Sequence, residues 1–166
     1  MDDNKRWITW RGRRILVNNN GNIVQNKQDE KEKYFNEHFY MESYDKKNKD
    51  YGMNEKQISV YNKKDKKEVA RLTYTEIYDK RKAYKLYDKN IFPNKINVRG
   101  IYVINDYQRK GIATQLYKEL QRRAGNNDIY FGELSKEGKK LVESIGTITK
   151  EEKPHKLKYY WGRINK

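Results

Sequence analysis

The chain has 166 residues, 35% hydrophobic and 37% charged, with a mean hydropathy of -1.28. That length is typical of a single domain, and the 13% of aromatic residues supplies the apolar area that so polar a chain needs to fold. The absence of cysteine excludes disulfides and thiolate chemistry, and His38 and His155, the only imidazoles, make a metal site unexpected. Nothing resembles a membrane span or a secretory signal, so we expect a cytosolic protein without a membrane partner.

The formal net charge is +15, from 38 Lys and Arg against 23 Asp and Glu. Such a surface attracts polyanions such as nucleic acid or a phosphorylated cofactor. A source that favours Lys, Asn, Asp and Tyr everywhere explains it equally, and that texture is typical of a phage or another mobile element of an AT-rich host. Both interpretations stay open at this point.

The first third of the chain predicts short strands and one helix. Residues 7–10 and 15–17 flank a turn, and Asn20-Gly21 is a strong hairpin signal before Ile23 and Val24, so two or three strands are expected. Phe35 and Phe39 have helical spacing and predict a short helix. Residues 44–56 are polar and predict a mobile stretch.

The rest of the chain alternates between strand patterns, which have a period of two residues, and helix patterns, which have a period of 3.6 residues. Residues 58–61, 69–74 and 96–104 read as strands, and 75–94 as a basic connection. Ile112, Leu116 and Leu120 have the spacing of an amphipathic helix, followed by a short strand at 129–131. Ser135 is placed to cap a further helix that ends before Gly146, and strands follow at 147–149 and 157–161. This order predicts a mixed α/β domain.

The motif that carries chemistry is Gln108-Arg109-Lys110-Gly111-Ile112-Ala113, where a strand passes through a turn directly into a helix. Unpaired backbone amides and the positive end of the helix dipole make such a helix start an anion site. Gly111 lets a phosphate approach the main chain, and Arg109 and Lys110 add two cations. These features suit a pyrophosphate.

This stretch resembles the acyl-CoA-binding motif of the GNAT superfamily of acetyltransferases, Gln/Arg-x-x-Gly-x-Gly/Ala after a strand. The resemblance covers roughly residues 57–164. It implies a GNAT-like central mixed sheet flanked by helices, within a fold class that is α/β (mixed α+β). We therefore expect an N-terminal extension over 1–56 and an acyl-CoA-binding domain over 57–166.

The resemblance also implies which residues hold acetyl-CoA. In the family, the strand before the loop and the strand after the helix splay apart, and the pantetheine lies between them. By this resemblance, the pantetheine and the thioester end of acetyl-CoA would contact Ile101, Tyr102 and Val103. Ser135 would replace the Asn of the family's next motif. The residues that would hold the pyrophosphate are Arg109, Lys110, Gly111, Ile112, Ala113 and Thr114.

The sequence departs from the family at two positions that bear on catalysis. Many members use a Tyr to protonate the leaving thiolate, and Val142 stands at that position with no proton to give. Relatives often place a Glu near position 99, where this chain has Arg99. Glu133 and Tyr159 are the substitutes that we predict as catalytic groups, with Tyr160 and Glu76 as alternatives.

The resulting expectation is an acetyl-CoA-dependent N-acetyltransferase that uses no metal. An amine on a protein, a small molecule or an aminoacyl-tRNA would accept the acetyl group directly. The alternative is a catalytically silent GNAT-fold module that serves as a binding or structural part of a larger assembly. In a third interpretation, the basic surface binds a nucleic acid that carries the amine acceptor.

Overall fold

Strands account for most of the fold in the computed structural model, which describes residues 5–10, 13–18, 23–26, 33–34, 38–48, 51–89, 93–152 and 158–165. Before residue 38 the description covers the backbone alone. Three strands, β1 (Lys5–Trp10), β2 (Arg13–Asn18) and β3 (Ile23–Asn26), pair antiparallel in that order. The predicted N-terminal hairpin is thereby confirmed.

A second sheet contains the remaining strands, in the spatial order β10-β11-β9-β8-β7-β6-β5-β4. Only β8 and β9 pair in parallel there, and the other neighbours pair antiparallel. The strands are β4 (Lys33–Tyr34), β5 (Phe39–Asn48), β6 (Met53–Asn62), β7 (Glu68–Ile77), β8 (Ile96–Val103), β9 (Ile129–Gly132), β10 (Gly146–Glu152) and β11 (Lys158–Ile164).

Helices connect the strands of this sheet. They are α1 (Lys80–Leu86), α2 (Ile112–Ala124) and α3 (Lys136–Ile145), with a 3₁₀ turn at Asn105–Tyr107. A mixed sheet flanked by helices confirms the predicted fold class. None of the described helices is long and apolar enough to cross a membrane.

The core lies between α2 and one face of the large sheet. Leu116 and Leu120 on α2 are fully buried, as their spacing predicts, and they belong to the same apolar cluster as Ile58 of β6 and Leu72 of β7. In each strand alternate residues point to this cluster, because side chains alternate across a sheet. The opposite face is more polar and bears Gln57, Thr73 and Thr75.

The predicted helix around Phe35 and Phe39 is wrong for the residues that the structure describes. Phe39 begins β5, where Phe39 and Met41 alternate toward the core while Tyr40 stacks on Tyr61 of β6 at 5.4 Å. Aromatic residues four apart fit a helix, yet the same residues fit a strand of period two when a neighbouring strand covers them. Phe35 itself lies outside the described residues.

The stretch predicted as mobile, 44–56, is mostly strand. Tyr44 pairs with Gln57, and Asp45 lies opposite Lys56, with 3.7 Å between carboxylate and ammonium. Opposite charges across a ladder stabilise polar strands that lack an apolar signal. The predicted domain boundary after residue 56 falls inside β6, and the division into two functional units stays a prediction.

The short helix α1 lies within the segment predicted as a plain connection. The Asp79 side chain caps it by accepting hydrogen bonds from the amides of Arg81 and Lys82, at 3.0 and 3.2 Å. Ala83 is its one buried residue and packs with Met53 and Ile77. So small an apolar contact leaves almost no periodic signal in the sequence.

Candidate active site

The start of α2 presents a row of backbone amides that are free to bind a ligand. Among the described residues, the amides from Arg109 to Thr114 have no hydrogen-bond acceptor, and the first helical bond is donated by Gln115 to the carbonyl of Gly111, at 3.1 Å. The helix has no side-chain cap. These amides and the helix dipole make a binding site for an anion.

The backbone before α2 curls so that the amides converge. Arg109 has φ 58° and Gly111 has φ 76° and ψ 4°, both in the left-handed region. Successive residues that alternate between left- and right-handed conformations form a concave nest of N–H groups that suits an anion. A Cβ atom added to Gly111 would meet nothing within 4 Å, so the space in front of these amides is open.

Neighbouring side chains fix the shape of this loop. Gln108 turns back and donates hydrogen bonds to the carbonyl of Val103, at 3.1 Å, and to the Asn105 side chain, at 3.0 Å. Tyr107 accepts a hydrogen bond from Asn62 on β6, at 3.1 Å, which ties the loop to the sheet. Gln108 therefore acts on the loop rather than on a ligand.

The side chains predicted at the loop differ in what they offer. Arg109 and Lys110 are exposed, and the Lys110 ammonium lies 5.0 Å from the centre of the Tyr107 ring. Ile112 is 1% exposed and packs in the core, so only its amide faces the nest. Ala113 and Thr114 are half-buried.

A gap opens between β8 and β9. Among the described residues the two strands pair only at their starts, Ile96 with Ile129 and Asn97 with Tyr130, and farther along they separate. This fork is the splay that the resemblance predicts. Ile101, Tyr102 and Val103 lie on β8 beyond the paired positions, and they pair with β7 on the other side.

A bulge lies where β8 leaves the fork. Thr73 of β7 pairs with Gly100 and Tyr74 pairs with Val98, so Arg99 is the extra residue. Arg99 is exposed and lines a cavity of about 270 Å³ on the polar face of the sheet, together with Tyr44, Lys46, Gln57, Thr73 and Thr75. A bulge re-aims a side chain out of the regular alternation, and here the Arg99 side chain reaches this cavity.

The predicted catalytic residues lie on the other side of the fork. Glu133 is exposed and follows β9 directly, and Tyr159 is a half-buried residue of β11. The two alternative catalytic residues make other contacts. Tyr160 is 4% exposed and belongs to the core, while Glu76 forms an ion pair with Lys56 at 2.5 Å. The catalytic roles of Glu133 and Tyr159 stay predictions.

Tyr130, which the sequence reasoning missed, links the two predicted catalytic residues. Its ring stacks on Tyr159 with centroids 6.2 Å apart, and it precedes Glu133 by three residues. Burial, aided by Tyr159, Glu151 and Glu133, raises the pKa of Tyr130 to about 12. Its hydroxyl is buried and has no partner within the described part of the chain. An apolar triplet, Ile129-Tyr130-Phe131, gives no sign of this in the sequence.

Two further predicted positions lie at α3. The Ser135 hydroxyl caps the helix by accepting a hydrogen bond from the Gly138 amide, at 3.0 Å, which confirms the predicted cap. The Ser135 hydroxyl proton is still free to meet a cofactor, and that contact stays a prediction. Val142 is fully buried in the core, and its aliphatic side chain has no proton to donate to a reaction.

The described residues contain no group of three or more His, Asp or Glu side chains that could hold a metal ion. His155 lies outside them, as do the side chains of Arg13, Arg14 and Trp10. The predicted use of the basic surface to hold an acceptor on nucleic acid stays a prediction.

Comparison with known proteins gives one finding. The family model described as "Acetyltransferase (GNAT) family" matches residues 23–137. The match begins inside the segment predicted as an N-terminal extension and includes the fork, the loop and α2. No curated protein gives a significant match to the chain.

Proposed function

We propose, from the premise that this chain belongs to the GNAT family of acetyltransferases, that it transfers the acetyl group of acetyl-CoA directly to a primary amine. Membership in the family implies acetyl transfer in general. The cofactor, the acceptor and the residues that act on them are our proposal.

The observation that carries the proposal is the row of free amides from Arg109 to Thr114, curled by two left-handed residues. A pyrophosphate offers several oxygens to such a nest, and the exposed cations of Arg109 and Lys110 balance its charge. Ser135, at the start of α3, would contact the cofactor from the other side of the fork.

The gap between β8 and β9 suits the pantetheine arm. The edge of β8 that faces the gap, from Val98 to Val103, has no strand partner among the residues that the structure describes. Its backbone groups can bind an extended chain as a neighbouring strand would. Ile101, Tyr102 and Val103 would thus hold the pantetheine and bring the thioester toward the bulge at Arg99.

The transfer needs one nucleophile and two proton movements. The neutral amine attacks the acetyl carbonyl, a C–N bond forms, the C–S bond breaks, and the thiolate leaves. Glu133 would accept the proton of the amine, and Tyr159 would donate a proton to the thiolate and regain it from solvent. Holding amine and thioester together supplies much of the acceleration, so modest acids and bases suffice.

The alternative is a GNAT-fold module without catalysis, and two observations favour it. Val142 is buried where many relatives have a proton-donating Tyr, and Arg99 occupies the bulge where a base is often found. Such a module would still bind acetyl-CoA, since the loop is intact. Turnover therefore separates the two candidates.

The basic surface extends beyond the loop. Lys80, Arg81 and Lys82 are exposed on α1, and Lys64 and Lys66 are exposed in the turn between β6 and β7. We propose these segments as the place for a polyanionic partner or a nucleic-acid-bound acceptor. A cytosolic location is likewise proposed from the composition.

Calorimetry with acetyl-CoA tests the proposed function. Wild type should bind, and Gly111→Glu should not, because its side chain fills the open space with a negative charge. Thioester release is then followed with a panel of amines. Failure of wild type to bind millimolar acetyl-CoA would refute the proposal, and binding without release of CoA for any amine would favour the silent module.

A further inference from the structure

An acidic patch lies beside the fork of a strongly basic protein. Glu151 on β10 is directly opposite Tyr159 of β11, and both it and Glu133 are exposed. Tyr159 stacks on Tyr130 with the two rings 13° from parallel. Glu151 thus lies opposite one ring of this pair, and Glu133 directly follows the strand that carries the other, in a chain whose net charge is +15.

The Tyr130 hydroxyl lies among these groups with its hydrogen-bonding capacity unused. Tyr130 is 6% exposed, and its hydroxyl has no partner among the described residues. Leaving a buried hydroxyl unpaired carries an uncompensated desolvation cost. A group that donates a hydrogen bond to the phenolic oxygen would remove this cost.

The electrostatic field at Tyr130 selects the charge of that group. Burial is the largest cause that raises the pKa of Tyr130 to about 12, and Tyr159 is the second. The carboxylates of Glu151 and Glu133 contribute to the same rise. The hydroxyl is therefore neutral at physiological pH, and the carboxylates that act on it are negative. A cation that donates N–H bonds is stabilised there, and an anion is repelled.

The other side of the fork has an excess of cations. Arg99, Lys46 and Lys56 line one cavity there, together with Glu55. Tyr130 pairs with Asn97, which pairs with Thr75, so Tyr130 shares the polar face of the sheet with this cavity. An ammonium that approaches the fork on this face is drawn toward β9 and β10.

We propose that Tyr130, Glu133 and Glu151 form the acceptor subsite, which binds the primary ammonium of an amine that carries additional positive charge. This inference rests on the proposed function and names its substrate class. The bound ammonium loses one proton to solvent, and the neutral nitrogen attacks the acetyl carbonyl. Glu133 takes the second proton as the C–N bond forms and the C–S bond breaks, and Tyr159 protonates the thiolate, so CoA leaves as the thiol. Free polyamines have this chemistry, and so does a lysine side chain that lies next to another basic residue.

A matched series of acceptors tests the charge preference. 1,4-Diaminobutane, n-butylamine and 4-aminobutanoate share one reactive end and differ in charge at the other. We expect the KM to rise in that order, by about tenfold at each step, which corresponds to about 1.4 kcal/mol. Equal values, or the lowest KM for 4-aminobutanoate, would overturn the inference. Assays that compare the free diamine with a peptide carrying one lysine next to one arginine distinguish the two sources.

Glu151→Gln is the central variant, because Glu151 has no assigned part in proton transfer. The KM for 1,4-diaminobutane should rise about five- to tenfold, with kcat and the KM for acetyl-CoA unchanged. Glu152→Gln is the matched control, since it removes the same charge one residue along β10, on the opposite face. Equal effects of the two variants would contradict a specific subsite.

Tyr130→Phe separates a binding role from a structural one. Removing an unpaired buried hydroxyl should raise the melting temperature. If the hydroxyl meets the ammonium, the same variant raises the KM for the diamine. Tyr117→Phe is the matched control, because Tyr117 also has a buried, unpartnered hydroxyl but packs against Phe131 in the core. An unchanged KM in Tyr130→Phe would exclude the hydroxyl from the subsite.

Binding measured without turnover keeps this inference distinguishable from the proposed function. The three amines are titrated into protein saturated with CoA, and the affinities should follow the same order and weaken in Glu151→Gln. A protein that binds acetyl-CoA and acetylates amines without regard to their charge refutes only the subsite. A protein that does not bind acetyl-CoA refutes the proposed function itself.

Discussion

Replacing Gly111 by Ala is the most direct perturbation of the loop before α2. Gly111 adopts φ 76° and ψ 4°, and a Cβ atom there meets no other atom within 4 Å. The methyl group therefore enters the open space in front of the free amides without a clash. The change adds backbone strain and partly fills the place that we assign to a phosphate oxygen.

Two magnitudes follow from this geometry. The left-handed conformation costs a residue with a Cβ about 1–2 kcal/mol, so the free energy of unfolding should fall by about that amount. In a domain of this size each kcal/mol lowers the melting temperature by about 2–4 °C. Loss of close phosphate approach should raise the Kd for acetyl-CoA about tenfold, or about 1.4 kcal/mol.

Gly125→Ala is the control at the other end of the same helix. Gly125 has φ 60° and ψ -121°, and its Cβ would also meet nothing within 4 Å. That conformation is at least as unfavourable for Ala, so stability should fall as much or more. Acetyl-CoA binding should be unchanged, since Gly125 follows the C-terminal end of α2.

Calorimetric titration and thermal unfolding of the two variants decide the matter. The expected pattern is a loss of stability in both and a loss of affinity in Gly111→Ala alone. If Gly111→Ala binds acetyl-CoA as tightly as wild type, the amides do not hold the pyrophosphate. If both variants lose affinity equally, strain rather than access explains the result.

Three further predictions concern single residues. Tyr117→Phe should raise the free energy of unfolding by about 1 kcal/mol, because the buried hydroxyl has no partner. Burial raises the pKa of Tyr117 from 10.0 to about 12, so the wild-type protein loses stability as the pH rises between those values. Tyr117→Phe should lack this contribution, so its stability should fall less over the same pH range in pH-dependent unfolding. Arg109→Gly removes a residue held at φ 58°, so the free energy of unfolding should stay the same or rise slightly. Acetyl-CoA binding should weaken and depend less on salt, because a cation is lost. Tighter binding would contradict the proposed site. Val142→Tyr should lower stability by about 1–3 kcal/mol through overpacking without increasing thioester release, and faster release with an unchanged melting temperature would contradict this.

The parts of the fold that sequence predicts are those with strong local signals. Leu116 and Leu120 repeat at helical spacing, Ser135 stands at a cap position, and Gly111 follows a strand and precedes a helix. Each signal is confined to a few neighbouring residues, and each is borne out in the helices and caps. The same locality explains why the loop motif could be recognised.

The parts that sequence misses depend on partners far along the chain. β5 carries alternating charges such as Asp45 and Lys46, and it is a strand because β6 lies beside it. The position of Arg99 in a bulge is decided by pairing with β7, and the link from Tyr130 to Glu151 needs β11 between them. No pattern among adjacent residues shows which distant strand will pair with them.

The narrow junction between β8 and β9 has a consequence for local unfolding. Two paired positions, at Ile96 and Asn97, join the strands from β4 to β8 with those from β9 to β11. The shared apolar cluster and α2 also span both parts, so we expect local opening at this junction to separate the paired backbone positions before the core unfolds. A chain bound in the gap would link the two parts of the sheet, so amides of β8 and β9 should show the largest slowing of hydrogen exchange when acetyl-CoA is added.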